Sequence, residues 1–209
     1  MDATVAGRLA AGATGLGLEL APGQVDALLA LAEELADWNT RVNLTAITEP
    51  AEVVDKHLLD SLAVLPLLRG HSVADIGSGA GFPGLPLAVA DPERRYTLVE
   101  STGTKEKFLR HAVSRLALPN VEVVQGRAES YRPPRPLDCV VARALGPLAE
   151  FVRVAGHLAG RGGRLLAMKG KAPEAELKAL PAGWKALAVH PVAIPGLDAE
   201  RCVVELARV

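Results

Sequence analysis

This 209-residue chain has no continuous apolar run of membrane-spanning length, and its N-terminus lacks a basic region followed by an apolar block. The expectation is a protein with neither a transmembrane helix nor a secretory leader. Cysteine is scarce: Cys139 and Cys202 are the two present, both in apolar strand-like contexts. They read as buried free thiols of a cytoplasmic protein rather than as a disulfide framework. No second His or Cys lies at ligand spacing near His57, so no metal site is expected. No Tyr-x-x-x-Lys or comparable hydride-transfer constellation occurs. Aromatic residues make up 3% of the chain, and the net charge of −1 gives no global basic excess of the kind that marks a nucleic-acid binder.

What is present suffices for a core. Apolar residues account for 49% of the sequence, and the length fits one large α/β domain or one core with a small appendage. Charge is unevenly divided. Residues 1–70 carry 4 Lys/Arg against 10 Asp/Glu, a net of −6, whereas residues 71–209 carry 19 against 14, a net of +5. The excess concentrates between Arg94 and Arg135, with 9 basic residues against 4 acids. That asymmetry is compatible with an anionic substrate at one face and equally with an ordinary solvated surface.

The first 70 residues read as helical. Residues 4–20 form an Ala/Gly/Leu-rich segment weakened by Gly7, Gly12, Gly15 and Gly17. After Pro22-Gly23, the residues Val25, Leu28, Leu29, Ala32, Leu35 and Ala36 recur at helical spacing up to Trp38-Asn39. A polar connector, Asn43 to Thr48, leads to a helix over residues 51–65, for which Thr48 is the expected cap. On that helix Lys56 with Asp60 and His57 with Ser61 are i, i+4 pairs. His57 reads either as a hydrogen-bonded structural histidine or as a substrate contact.

From Ser72 the pattern alternates. Strand-like runs at 72–76, 96–100, 121–124, 137–142, 164–169, 185–190 and 201–207 are interleaved with helical segments beginning at Pro83 and Thr104. Such alternation predicts a mostly parallel sheet covered on both faces. The division expected is an N-terminal helical cap, residues 1–70, and an α/β core, residues 71–209.

The chain is organised around Val73 to Leu87. An apolar run ends on Asp75, and Gly77, Gly79, Gly81 and Gly84 follow within eight residues before a helix-compatible segment. This is a strand, a Gly-rich turn and a helix start, which lets a ligand approach the main chain. The six residues from Gly79 to Gly84 match G-x-G-x-x-G, the dinucleotide pattern, but two features oppose it. The Asp75 carboxylate would repel a pyrophosphate and suits an ammonium instead, and Pro83 offers no N–H. The run from Asp75 to Gly81 instead resembles the first motif of class I methyltransferases, which bind S-adenosylmethionine (SAM). By itself that motif leaves open a small-molecule methyltransferase or a SAM-binding regulator without chemistry.

Downstream, Glu100 ends the second strand 19 residues after Gly81, where an acid accepts ribose hydroxyls in nucleotide-binding sheets; a capping role ahead of the Thr104 helix is the alternative. Ala128 and Glu129 follow the third strand, where main-chain N–H groups and a carboxylate can bracket an adenine. Asp75, Glu100 and Glu129 thus sit at the carboxyl ends of three successive strands, where α/β sheets bind ligands. Arg143 closes the apolar fourth strand and needs an anionic partner. Lys169 and Lys171 lie at the same rim, and Lys105, Lys107 and Arg110 lie near the start of the second core helix. Together they form a set suited to an RNA backbone. Where amine methylation places an Asn/Asp-Pro-Pro-aromatic segment, this chain reads Ala142-Arg143-Ala144-Leu145, and Cys139 lies inside the strand rather than on a rim loop. Guanine N7 has an in-plane lone pair and no proton to remove, so alignment alone could serve it.

Three further segments complete a pattern: Asn43-Leu44-Thr45, the run from His57 to Ser61, and the run from Asp75 to Gly84. With Arg127-Ala128-Glu129, Ala142-Arg143-Ala144 and the run from Met168 to Lys171, they resemble the bacterial small-subunit rRNA (guanine-N7) methyltransferase family, also called glucose-inhibited division protein B. The resemblance covers nearly the whole chain. It implies a class I, Rossmann-like α/β fold with an N-terminal helical extension. It also implies SAM contacts at Gly77, Phe82, Ala128, Glu129 and Arg143, to which the motif reading adds Asp75, Gly79, Gly81 and Glu100. RNA-facing roles are implied for Arg127 and Lys169, with Lys105 and Lys107 beside them, and Arg143 and Lys169 become the candidate catalytic residues. The partner implied is 16S rRNA or the small ribosomal subunit, and the enzyme implied is a cytoplasmic monomer. Phe82 departs from the aliphatic residue expected there, and Asp also occurs at the position of Glu100.

Overall fold

Two helices open the chain in the computed structural model, which describes residues 1–209. α1 (Ala3–Gly15) begins where Asp2 accepts the Val5 N–H at 2.9 Å. It ends five residues earlier than the sequence suggests, because Gly17, at φ 74°, turns the chain out of the helix. Gly12 is needed for packing: a Cβ there would stand 2.3 Å from Leu59 Cδ1. α2 (Pro22–Asn39) starts on a proline whose missing N–H costs nothing at that position. The Gln24 side chain accepts the Ala21 N–H and donates to the carbonyls of Val89 and Ala90, tying α2 to a helix of the core. Asn39, at the end of α2, organises the polar connector by accepting the N–H groups of Leu44 and Thr45 and donating to Thr45 O.

The helix expected over 51–65 is three pieces: α3 (Pro50–Val53), a π-helical turn (Val54–Leu59) and α4 (Asp60–Leu62). Thr48 is not its cap; Glu49 flanks Pro50 and makes no side-chain cap bond. The anticipated i, i+4 pairs also differ. Lys56 pairs backwards with Glu52, because Asp60 is buried and taken by two arginines from the core. Ser61 donates to the His57 carbonyl rather than to its ring.

The sheet has the order β3-β2-β1-β4-β5-β7-β6. β1 (Ser72–Ile76), β2 (Arg95–Glu100), β3 (Val121–Gln125), β4 (Leu137–Arg143) and β5 (Ala159–Lys169) run parallel. β7 (Arg201–Arg208) is antiparallel to β5, and β6 (Trp184–Val192) is antiparallel to β7. The helices between are α5 (Gly84–Ala90), α6 (Gly103–Arg115), α7 (Leu148–Ala155) and α8 (Glu174–Lys178). The mostly parallel, doubly covered sheet read from the alternation is the architecture observed.

Strand residues sort onto the two faces with the period of two that a pleated strand imposes. Ala74, Ile76, Val140, Ala142, Leu165, Ala167 and Val204 pack against Leu148, Phe151 and Ala155 of α7. Their neighbours Val73, Cys139, Val141, Leu166 and Val203 face Leu87 and Ala88 of α5 with Val64 and Leu68. A third cluster joins the N-terminal helices, through Leu9, Leu28, Leu31, Leu35, Leu58 and Leu62, to Leu85, Phe108 and Leu109 of α5 and α6. Both cysteines are buried and free, and no helix is long and apolar enough to cross a membrane.

Strand order reverses between β1 and β4: one half of the sheet grows outward from β1 and the other from β4. Open α/β sheets hold ligands beyond the carboxyl ends of the strands at this point. Asp75 and the glycines leave from β1 there, and Arg143 ends β4.

Candidate active site at the carboxyl rim

Asp75 is 1% exposed. One carboxyl oxygen, Oδ2, accepts the Gly84 N–H at 2.9 Å, joining the end of β1 to the first residue of α5. The other, Oδ1, is buried with no hydrogen-bond partner. Burial pushes the carboxyl up to about 7, against the pull of the Gly84 N–H and the charge of Arg143. Gly84 is required here: a Cβ would lie 2.2 Å from Leu98 Cδ2 and 2.8 Å from Asp75 Oδ2.

Above Asp75 the turn closes on itself. Gly77 and Ser78 both donate to Val99 O on β2, and Gly81 and Phe82 both donate to Ser78 O. Gly77, Gly79 and Gly81 hold φ of 67°, 59° and 88°, a region that L side chains enter only at a cost. Glu100, 5% exposed, accepts the Gly79 N–H at 2.9 Å through Oε2 and the Thr102 N–H at 2.7 Å through Oε1. It therefore braces the Gly-rich turn and the entry to α6 together. The sequence reading weighed only a ribose contact or a cap.

Arg143 finds its anion inside the protein. Nη1 donates to Asp60 Oδ2 at 3.2 Å and to Lys56 O at 3.0 Å, and Nη2 lies 3.2 Å from His57 Nδ1. Arg201 donates to the other oxygen of Asp60 at 3.1 Å. The His57 ring stacks on Phe82, with centroids 4.6 Å apart and planes 11° apart. The Arg143 guanidinium carbon stands 5.4 Å from the same Phe82 ring. Burial, then the nearby Arg143 charge, depresses His57 to about 4, so its ring is neutral.

The remaining residues named from sequence divide. Ala128, buried, and Glu129, exposed, form a short 3-10 turn (Ala128–Ser130) directly after β3, with Arg127 exposed before it. Lys105 and Lys107 lie in the first turns of α6, half-buried and exposed respectively. Lys169 is not a free rim cation: Nζ donates to Gly146 O at 2.7 Å and to Glu176 Oε2 at 2.8 Å. Glu176 also accepts the Leu148 N–H at 2.7 Å, so this pair clasps the loop that follows β4. In that loop Ala144 holds φ of 57°, unusual for a residue with a Cβ. Sequence reasoning did not single out Glu176 or Arg201, which sit in a short polar helix and at a strand start with no local motif. In the sequence Asp60 reads as a neighbour of Lys56 and as part of the run from His57 to Ser61, with no role assigned to it.

No group of three or more His, Cys, Asp or Glu is placed to hold a metal ion. Two sizeable concavities lie away from the Gly-rich turn. One, about 340 Å³, sits between α2 and residues 45–53; the other, about 1070 Å³, runs along the opposite rim past His71, Arg95, Asn120 and Arg135.

The residues at the carboxyl rim fit SAM. A buried carboxylate oxygen lacking a partner suits an ammonium or a water held by one, the glycines keep side chains away from the main chain, and Glu100 lies beside the turn.

Comparison with known proteins points the same way. The family model described as rRNA small subunit methyltransferase G matches residues 24–204. A ribosomal RNA small subunit methyltransferase G of Azoarcus sp. (strain BH72) is 48% identical over 204 residues, 97% of this chain and 96% of that protein. One from Stenotrophomonas maltophilia (strain K279a) is 47% identical over 206 residues, 98% of this chain and 95% of that protein. Among solved structures, the glycopeptide N-methyltransferase MtfA complexed with S-adenosyl-L-homocysteine superposes with a TM-score of 0.63. It is 12% identical, covering 73% of this chain and 87% of that one, a likeness of fold.

Proposed function

The chain belongs to the rRNA small subunit methyltransferase G family, and from that membership we infer that it transfers a methyl group from SAM to N7 of a guanine in 16S rRNA. The observation that carries the cofactor reading is the unpaired Oδ1 of buried Asp75 beneath the Gly-rich turn. An ionised Asp75 would hold the ammonium of SAM, directly or through a water. Gly77, Gly79 and Gly81 would let the methionine part lie against bare main chain. Glu100 would take ribose hydroxyls through its free lone pairs while it keeps the Gly79 N–H. Ala128 and Glu129 would border the adenine, and Phe82 and Arg143 would form the wall toward the acceptor.

SAM, when bound, supplies an electrophilic methyl on a sulfonium. The protein's part is then alignment. Guanine N7 carries its lone pair in the plane of the base and loses no proton, so no general base is needed. Arg143, held by Asp60, Lys56 O and His57, is a cation fixed at the rim. It can orient the base or an adjoining phosphate without moving. Arg127, Lys105, Lys107 and Lys169 are the residues proposed to meet the RNA backbone.

The test is transfer of labelled methyl from SAM to small ribosomal subunits taken from a strain lacking this protein, followed by nucleoside analysis. Label recovered as 7-methylguanosine is the expected result. No label in subunits or in free rRNA, with SAM binding intact, overturns the reading.

A further inference from the structure

The π-helical turn Val54–Leu59 brings three groups to one place. Asp60 N–H reaches back five residues to Asp55 O, and the Lys56 carbonyl accepts Arg143 Nη1 at 3.0 Å. The next residue, His57, is 7% exposed and lies between Phe82 and Arg143. Such turns are rare and concentrate where a protein needs a side chain in a place that regular helix does not reach.

Two neighbours compete for one nitrogen of the imidazole. His57 Nδ1 lies 3.2 Å from Arg143 Nη2, a donor, and 3.1 Å from Lys56 O, an acceptor, so the two contacts call for opposite tautomers. Lys56 O is already supplied by Arg143 Nη1, whereas Nη2 has no other acceptor, which favours a bare Nδ1 and a proton on Nε2, 2.9 Å from Thr45 Oγ1. Thr45 Oγ1 is held in turn by the Ile47 N–H at 3.1 Å. Thus the connector anchors the ring through Nε2, Nδ1 faces Arg143, and the flat ring covers Phe82. A protonated ring could not do this, since it would present a third positive charge beside Arg143 and Lys56 and would have no lone pair.

We propose that His57 is a positioning residue for methyl transfer: its Nδ1 accepts from Arg143 and its ring stacks on Phe82, so that one side chain from the N-terminal helices sets both residues against the Gly-rich turn. This rests on the reading that the turn holds SAM and that Phe82 and Arg143 border it. The N-terminal helices then complete the cofactor site rather than merely cover the sheet.

The test uses the full chain and measures the SAM dissociation constant by calorimetry together with separate KM values for SAM and for small-subunit rRNA. His57→Phe keeps a flat ring for Phe82 and deletes the acceptor. His57→Asn restores an acceptor near the Nδ1 position. Removing an acceptor from a charged donor should raise the dissociation constant and KM for SAM about tenfold to hundredfold. KM for rRNA should rise less than KM for SAM, and His57→Asn should recover most of the loss. Thermal melting checks that each variant is folded. Should His57→Phe fail to fold, Thr45→Val reports on the same linkage: without its Nε2 partner the ring is less firmly held against Phe82 and Arg143, and SAM KM should rise roughly threefold or more. SAM binding unchanged in folded His57→Phe, or equal losses in the Phe and Asn variants, overturns the proposal. A wild-type protein that binds no SAM overturns the cofactor reading as well, so the two failures are distinguishable.

Discussion

Asp60 Oδ2 accepts from Arg143 at 3.2 Å while Asp60 Oδ1 accepts from Arg201 at 3.1 Å, so one buried carboxylate from the N-terminal helices joins the end of β4 to the start of β7. Removing it leaves two guanidiniums near each other with no anion between them. Asp60→Ala should therefore lose about 3 kcal/mol of unfolding free energy, at the low end of the cost of breaking a buried pair because both arginines are partly exposed. Urea denaturation measures it, and a loss under about 1 kcal/mol would show that water replaces the carboxylate.

The glycines of the turn should not be equivalent. Gly84→Ala places a Cβ 2.2 Å from Leu98 Cδ2 and against Asp75, and should cost several kcal/mol or prevent folding. At Gly79 the nearest atom to a Cβ is Gly77 O at 3.8 Å, so Gly79→Ala meets only the strain of its positive φ, about 1–2 kcal/mol. Melting temperatures of the two variants compare them directly. Similar losses would mean that Leu98 and Asp75 give way.

Asp75 makes two pH dependences. Burial raises its carboxyl from the ordinary 3.8 to about 7, so the folded protein without SAM holds a proton that the unfolded chain releases. Its contribution to stability is present below about pH 4 and is lost as pH rises through 7. Asp75→Asn should remove that decline. SAM binding should run the other way, because only ionised Asp75 pairs with an ammonium. Between pH 6 and 7.5 affinity should rise roughly eightfold in the wild type and stay flat in Asp75→Asn. A flat wild-type profile would show that Asp75 does not meet the cofactor's charge.

Lys169 and Glu176 separate RNA binding from cofactor binding. Lys169→Ala should weaken transfer to rRNA, lower the slope of log affinity against log salt by about 1, and leave SAM affinity within about twofold. Glu176→Gln keeps an oxygen for the Leu148 N–H but removes the charge that holds the Lys169 ammonium. Its KM for rRNA should fall. A rise in KM would mean that Lys169 acts from its clasped position on the loop after β4.

Much of this protein is determined locally and is readable in order. The alternation from Ser72 specifies the parallel sheet because buried strands and covering helices have different apolar periods. The spacing of Asp75, the glycines and Glu100 points to the proposed ligand rim because glycine's freedom and an acid at a strand end are properties of single positions. The Thr48 cap and the Lys56–Asp60 pair were misread for the complementary reason. Helical spacing describes which side chains could meet on an isolated helix, and two arginines, 83 and 141 residues further on, compete for Asp60 more strongly than a neighbouring lysine. The π-helical turn, the placement of the His57 ring against Phe82 and Arg143, the clasp of Glu176 on Lys169 and the orphaned oxygen of Asp75 all arise from burial and from partners distant in sequence. Desolvation sets their charges, and only the folded chain decides what is desolvated.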